Sequence, residues 1–276
     1  MRKAFTLIEL VVAMGILALI LSFAGVIFRA GTGAQRMAMA NAEIMEKLRV
    51  ITSQLDADFK GMIGRYGGWS EMRTVLLTND TGASVTTNWD GLGFLANGDF
   101  QSTRQYGGDT IVGNVASIFY GPPDPNSYEV LDPKTLEKRI ELPAPRDRVL
   151  LRRQTILAPE APEADSRSDG EYYCTSLEQW RNEWEDNRNG WYRQSIIDPA
   201  NIAEQMPMLL AKGVDNFTVE FIEHGTSLGT AAIPWVHELP GQEFSPVAFK
   251  VTFTLYDSKG VLAKGRTFTH IVLVGG

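Results

Sequence analysis

From Leu10 to Phe28 the chain runs nineteen residues without a charge, LVVAMGILALILSFAGVIF. As a helix rising 1.5 Å per residue this stretch is about 28 Å long, close to the roughly 30 Å hydrocarbon core of a bilayer. A helix that is apolar on every side has no use for water on any of them. It belongs in lipid or in an equally apolar interior, and everything behind it must fold around that fact.

The front of the run is unusual. A secretory signal has a basic start, an apolar stretch of about 7–15 residues and a small-residue cleavage site behind it. Here the basic start is only Arg2 and Lys3, the apolar stretch is longer, and a carboxylate, Glu9, sits among Phe5-Thr-Leu-Ile-Glu-Leu-Val-Val-Ala13. An acid at membrane depth is costly unless it meets a positive partner, so Glu9 is a functional residue by default.

The segment Lys3-Ala4-Phe5-Thr6-Leu7-Ile8-Glu9-Leu10 resembles the class III signal of type IV pilins and type II secretion pseudopilins. The resemblance implies that a prepilin peptidase cuts between Ala4 and Phe5 and methylates the new amine of Phe5. Glu9 is then the fifth residue of the mature chain, where the family carries its acid. The family usually has Gly before the cut, and this chain has Ala4 in that place. In a helical stack of subunits, the Glu9 carboxylate of one would neutralise the Phe5 ammonium of its neighbour, lowering the cost of both charges and setting the register. The partners implied are other minor and major pseudopilins, the prepilin peptidase/methylase, and an inner-membrane assembly platform with its ATPase. Secreted substrates are a further implied partner.

With 276 residues and 44% hydrophobic content, the chain can build one sizeable core beside its N-terminal helix. The net charge of −7 argues against nucleic acid as the main partner. One cysteine, Cys174, permits no intramolecular disulfide and reads as a small buried filler.

Beyond the apolar run, Gly31 and Gly33 are a weak point for a helix, each costing about 1 kcal/mol of propensity. The pattern then resumes: Met37, Met39/Ala40, Ile44, Leu48, Ile51, Leu55 and Phe59 recur at steps of three and four, with charges such as Glu43, Lys47 and Asp56 largely elsewhere. This predicts an amphipathic helix ending at Gly61 and Gly64. The whole rod, Phe5 to about Lys60, is on the order of 80 Å long. Its first half is apolar throughout, and its second half docks on the β domain that follows.

From about residue 65 strands and turns take over. Val75–Leu77, Ser84–Thr87, and Thr110–Val112 with Ala116–Tyr120 are strand candidates, and Gly121-Pro-Pro-Asp-Pro125 is a firm stop. Tyr128–Leu131 and Lys138–Leu142 read as paired strands or a surface insertion, and Asp147–Ile156 as a more buried strand. Ala158 to Gly170 is a Pro- and acid-rich loop. Asp165, Asp169 and Glu171 raise calcium as a reading, but their spacing is not that of an EF-hand loop, and a solvated acidic loop is the better account. Trp180 and Trp184, four apart, share a helix face if helical; a carbohydrate-stacking platform is the sharper alternative.

The last third is the most regular. Phe217, Val219 and Phe221 alternate with polar residues, as do Val247, Phe249, Val251, Phe253 and Leu255. Asp257-Ser-Lys-Gly260 is a turn and Arg266–Val274 returns as a hairpin partner. This ending resembles the C-terminal part of J-type minor pseudopilins and PilW-type minor pilins.

No metal, cofactor or catalytic constellation emerges. His224, His237 and His270 stand apart, and there is no G-x-S-x-G elbow, Walker-type loop or H-E-x-x-H motif. The expectation is a non-enzymatic α+β protein of pilin-like fold: leader 1–4, transmembrane or fibre-core helix 5–28, amphipathic helix 29–62, and an extracytoplasmic, periplasmic β-rich domain 63–276 with insertions around 121–200. The expected role is that of a minor pseudopilin at the tip or initiation point of a type II secretion pseudopilus. The alternatives are a PilW-like minor pilin of a type IV pilus, or a secreted binding protein or hydrolase cleaved near Ser22-Phe-Ala24.

Overall fold

The computed structural model describes residues 7–63, 68–78, 84–123, 129–131, 138–140, 143–161, 170–179, 209–223 and 246–274. Trp180, Trp184, Asp165, Asp169, His224 and His237 lie outside them, so the stacking-platform reading and most of the calcium reading do too.

The rod is one unbroken helix, α1, Leu7–Lys60. Gly31 and Gly33 do not interrupt it. A propensity cost of about 2 kcal/mol for the pair is small beside a helix with hydrogen bonds running continuously on both sides. Its end is fixed by the next element. Gly61 accepts a hydrogen bond from the Asn97 N–H at 2.7 Å, and the Ile63 N–H donates to the Leu95 carbonyl at 2.8 Å. A Cβ on Gly61 would come within 2.1 Å of the Asn97 carbonyl oxygen, so only glycine lets the chain leave the helix this close to a strand.

That strand belongs to a six-stranded sheet. Its strands are β1 (Gly68–Thr78), β2 (Ser84–Tyr106), β3 (Asp109–Gly121), β6 (Val149–Leu157), β7 (Tyr172–Tyr173) and β8 (Leu209–Lys212), in the order β1-β2-β3-β6-β7, with β8 also on β6. All pairs are antiparallel except the two-residue β6–β7 contact. A second sheet has the order β11-β10-β9, from β9 (Val214–Glu223), β10 (Pro246–Leu255) and β11 (Arg266–Leu273). β4 (Glu129–Leu131) and β5 (Lys138–Ile140) form a two-stranded antiparallel ribbon, the first of the two readings the sequence allows there.

In β10 the apolar positions Phe249, Val251, Phe253 and Leu255 are all buried, in β9 Phe217 is buried and Val219 half-buried, and β10 pairs β11 in unbroken register from Ala248↔Leu273 to Leu255↔Arg266. The Asp257 turn is real, its carboxylate accepting the Val261 and Leu262 N–H groups at 2.7 and 3.0 Å. Burial alone would raise the Asp257 pKa, but these backbone donors outweigh it and hold the carboxyl below its usual value.

Three expectations need correction. First, β2 is far longer than Ser84–Thr87. Its continuation through Asn88–Tyr106 reads as turn because it carries Gly91, Gly93 and Gly98 among Asp and Asn. Yet Leu92, Phe94 and Ala96, at the two-residue spacing of one sheet face, are wholly buried under the rod. Two register shifts, between Asn97 and Phe100 and between Gln101 and Gln105, let so long a strand bend. Second, Met37 and Met39 are not on the docked face; they are 54% and 57% exposed, and burial starts at Ala40. The apolar spacing continues toward the N-terminus, but the β domain no longer lies beside it. Third, Cys174 is half-buried rather than a core filler.

The main core lies where the second half of α1 meets both sheets. Phe59 sits between Phe94 of the larger sheet and Phe249 of the smaller, with ring centroids 4.5 and 5.0 Å away. The chain passes between sheets at Gly213, the residue between β8 and β9, which adopts φ +78° and accepts the Tyr256 N–H at 2.8 Å.

Candidate assembly face and its link to the domain

Two halves of α1 face two environments. From Leu7 to Met39 every residue is exposed apart from half-buried Thr32. This half carries an 18-residue window of mean hydropathy 2.8, none of it buried by the rest of the chain. Each large aliphatic or aromatic side chain left in water forgoes about 1.5–3 kcal/mol, and more than a dozen are so placed, so this half requires lipid or other apolar rods. Glu9 lies in the first turn of α1, exposed, where the helix dipole favours an acid. Ala4 and Phe5 lie outside the described residues. His270, the one histidine among the described residues, does not approach Glu9; it serves the other half of the rod.

The second half is held by packing and by a set of polar contacts. Asp58, at 6% exposure, is the carboxylate of a buried network. Arg152 on β6 grips it with both arms, Nε to Oδ2 at 2.6 Å and Nη2 to Oδ1 at 2.7 Å. The Tyr120 hydroxyl on β3 donates to Oδ2, and Gln54, one turn earlier, donates to Oδ1 at 3.1 Å. Burial, then the charge of Asp58, push the Tyr120 hydroxyl well above its ordinary pKa, keeping it a donor at every physiological pH. Burial by itself would lower the Arg152 pKa, but hydrogen bonding and charge from Asp58 win and raise it. The result is a locked ion pair with its remaining valences filled.

Nearer the membrane half, Glu43 accepts both the N–H and the hydroxyl of Ser258, at 2.9 and 3.0 Å, and pairs with Lys47 at 2.8 Å. Burial opposes ionisation of Glu43, yet the hydrogen bonds from Lys47 and Ser258 lower its pKa. Lys47 itself donates to the Tyr256 carbonyl at 2.8 Å. On the other side of the rod, His270 of β11 meets Asp56 at 2.8 Å. Where α1 leaves the domain, a groove of about 410 Å³ opens between Arg36, Met39 and Glu43 on the rod and Asp257, Lys259 and Val261 on the turn.

The two sheets are tied to each other as well. Arg148 and buried Asp215 form an ion pair across the β8–β9 crossing. Asp90 of β2, 4% exposed, accepts the Val219 N–H of β9 at 2.8 Å through Oδ2, while its buried Oδ1 has no hydrogen-bond partner. Burial raises its pKa to about 6; the Val219 bond opposes this and the charge of Glu220 adds to it. Glu171, one of the three acids raised for calcium, is a clamp: its carboxylate accepts the Thr103 and Arg104 N–H groups, at 3.0 and 3.1 Å, and the Tyr106 hydroxyl at 3.0 Å. Among the described residues no group of three or more His, Cys, Asp or Glu is placed to hold a metal ion.

Sequence reasoning singles out neither Asp58 nor Arg152. The signals were there: Asp58 falls within the apolar stripe, between Leu55 and Phe59, and Arg152 lies in a strand otherwise apolar enough to be buried. A charge at such a position in each of two buried elements points to a pair.

The geometry defines a class: among the described residues one helix is long and apolar enough to cross a membrane, and it continues into a rod that docks on a β domain. Residues 1–25 match the prokaryotic N-terminal methylation motif. That motif, with this fold behind it, supports a type IV pilin-like protein processed by a prepilin peptidase, and it points to a structural subunit anchored by one membrane pass. No curated protein and no solved structure matches the chain.

Proposed function

We propose that the chain is a minor pseudopilin, a non-enzymatic tip or initiation subunit of a type II secretion pseudopilus. The observation that carries this reading is the bare apolar half of α1, which begins within the prepilin-type motif of residues 1–25 and extends beyond it. A rod that buries nothing of its own first half is built to be buried by others. In this reading residues 1–4 are the leader, the cut falls between Ala4 and Phe5, and Phe5 is N-methylated. Residues 5–28 rest in the inner membrane and later in the fibre core. Residues 29–62 carry the domain, and 63–276 lie in the periplasm. Glu9 of one subunit meets the Phe5 ammonium of its neighbour, an exchange of two poorly solvated charges for one pair. The peptidase/methylase, the assembly platform with its ATPase and the other minor and major pseudopilins are its partners, with secreted substrates meeting the exposed domain. The ending of the chain, β9 to β11, resembles J-type minor pseudopilins and PilW-type minor pilins alike, so a PilW-like minor pilin of a type IV pilus is the alternative reading.

Mass spectrometry of the protein recovered from assembled fibres tests it. The expected N-terminus is methyl-Phe5, whereas Met1–Ala4 still attached, or a start near Gly25, would exclude the proposal. Glu9→Ala is expected to leave cleavage and the folded domain intact and to lower incorporation into the fibre at least about ten-fold, as loss of roughly 1.4 kcal/mol or more per contact requires. Incorporation at the level of the parent chain would rule out charge pairing by Glu9.

A further inference from the structure

The polar contacts between rod and domain have an arrangement that packing alone does not explain. At about 100° per residue, the buried apolar positions Ala40, Ile44, Ile51, Leu55 and Phe59, with half-buried Leu48, occupy a sector of roughly 100° around α1. Glu43, Lys47, Gln54 and Asp58 form a row along one edge of that sector, and Asp56 stands beyond the opposite edge. The row binds Ser258, the Tyr256 carbonyl, Tyr120 and Arg152; Asp56 binds His270. The domain thus holds one flank of the rod at both ends of the docked half, through Glu43 and Lys47 at one and Asp58 at the other, and the opposite flank at Asp56.

An apolar stripe on an apolar sheet tolerates slippage and rotation, because dispersion and hydrophobic contacts are not directional. Charged hydrogen bonds are directional, and a bidentate arginine fixes its carboxylate within a narrow range of angles. From this we infer that these pins are positioning residues that set the rotation of α1 about its own axis relative to the β domain. The inference rests on the proposed function: in a helical fibre a subunit must satisfy its rod neighbours and its domain neighbours at once, which one rotational setting permits and a range of settings does not. The pins turn a sticky rod into an aimed one.

The test is intramolecular and needs no fibre, so its failure is distinct from failure of the assembly reading. Spin labels on Met37→Cys and Val112→Cys, in a Cys174→Ser background, report the distance between exposed positions of rod and domain in the full chain in detergent micelles. A swing of about 40° would move a label on the rim of the rod, some 5–6 Å from its axis, by about 4 Å. Replacing the buried network by apolar residues, Asp58→Leu with Arg152→Met and Tyr120→Phe, keeps the volume filled and leaves no orphaned charge. The expected result is a melting temperature close to that of the parent with a distance distribution widened or shifted by about 4 Å. An unchanged distribution in the folded variant overturns the inference. Should the triple variant not fold, Glu43→Ala with His270→Ala, both at partly exposed positions, decides: a widened distribution supports positioning, and an unchanged one overturns it.

Discussion

The two halves of α1 belong to one helix and share its hydrogen bonds, yet they solve opposite problems. In the first, Leu7 to Met39, no face is reserved for water and nothing in the chain covers it. In the second, Ala40 to Lys60, a stripe of about one third of the circumference is covered by two sheets, and the rest is mostly polar or charged, with Met45 and Val50 exposed among it. The difference teaches that helical continuity says nothing about where the stabilising partner lies. For the second half that partner is the same molecule; for the first it is lipid or another subunit.

Three substitutions put that contrast under strain. The largest effects are expected in the docked half, where Asp58→Ala leaves the half-buried Arg152 guanidinium without its counter-charge and should destabilise that half by about 3 kcal/mol in chemical denaturation. A loss under about 1 kcal/mol would mean that water reaches Arg152 freely and that the network is not a lock. Next, Ile51→Ala should cost about 2–4 kcal/mol, since Ile51 is wholly buried, whereas Leu17→Ala, 57% exposed, should leave the unfolding of the β domain unchanged. Equal losses would show that the halves are one cooperative unit after all.

The smallest effect concerns the joint between the sheets. The Asp90 pKa is raised from 3.8 to about 6, so between those values the folded chain holds a proton that the unfolded chain has released. Stability from this group therefore falls as pH rises from about 4 to about 7. Asp90→Asn, which keeps an acceptor for the Val219 N–H, should gain about 1–2 kcal/mol at pH 7.5 after allowance for residual solvation, and nothing at pH 4. Paired melting curves at the two pH values check it; a gain of the same size at both would show that ionisation of Asp90 is not the source.

How much was legible beforehand follows the same division. The exposed half of α1 could be read directly, because nineteen uncharged residues and a carboxylate at Glu9 admit few physical settings. Strands β9 to β11 were legible too, since a two-residue period of Phe, Val and Leu against Thr and Lys has one interpretation. The long middle strand β2 was not. Glycines at 91, 93 and 98 signal turns locally, and only the presence of the rod above Leu92, Phe94 and Ala96 makes an extended strand the better state. The clamp made by Glu171 was hidden for the same reason, because its partners Thr103, Arg104 and Tyr106 are brought to it by the fold from some 65 residues away.

By itself, the sequence determined what is local and periodic: a rod that must leave water, the point where its pattern turns one-sided, and the hairpin that closes the domain. Tertiary structure alone decided where the docked face begins, which carboxylates become pins, and how the two sheets divide the core around Phe59. The reason is one of range. Hydrophobic period and helix propensity act between neighbours a few residues apart, whereas Asp58 finds Arg152 across 94 residues: each segment marks its own charge as out of place, and only the fold brings the two together.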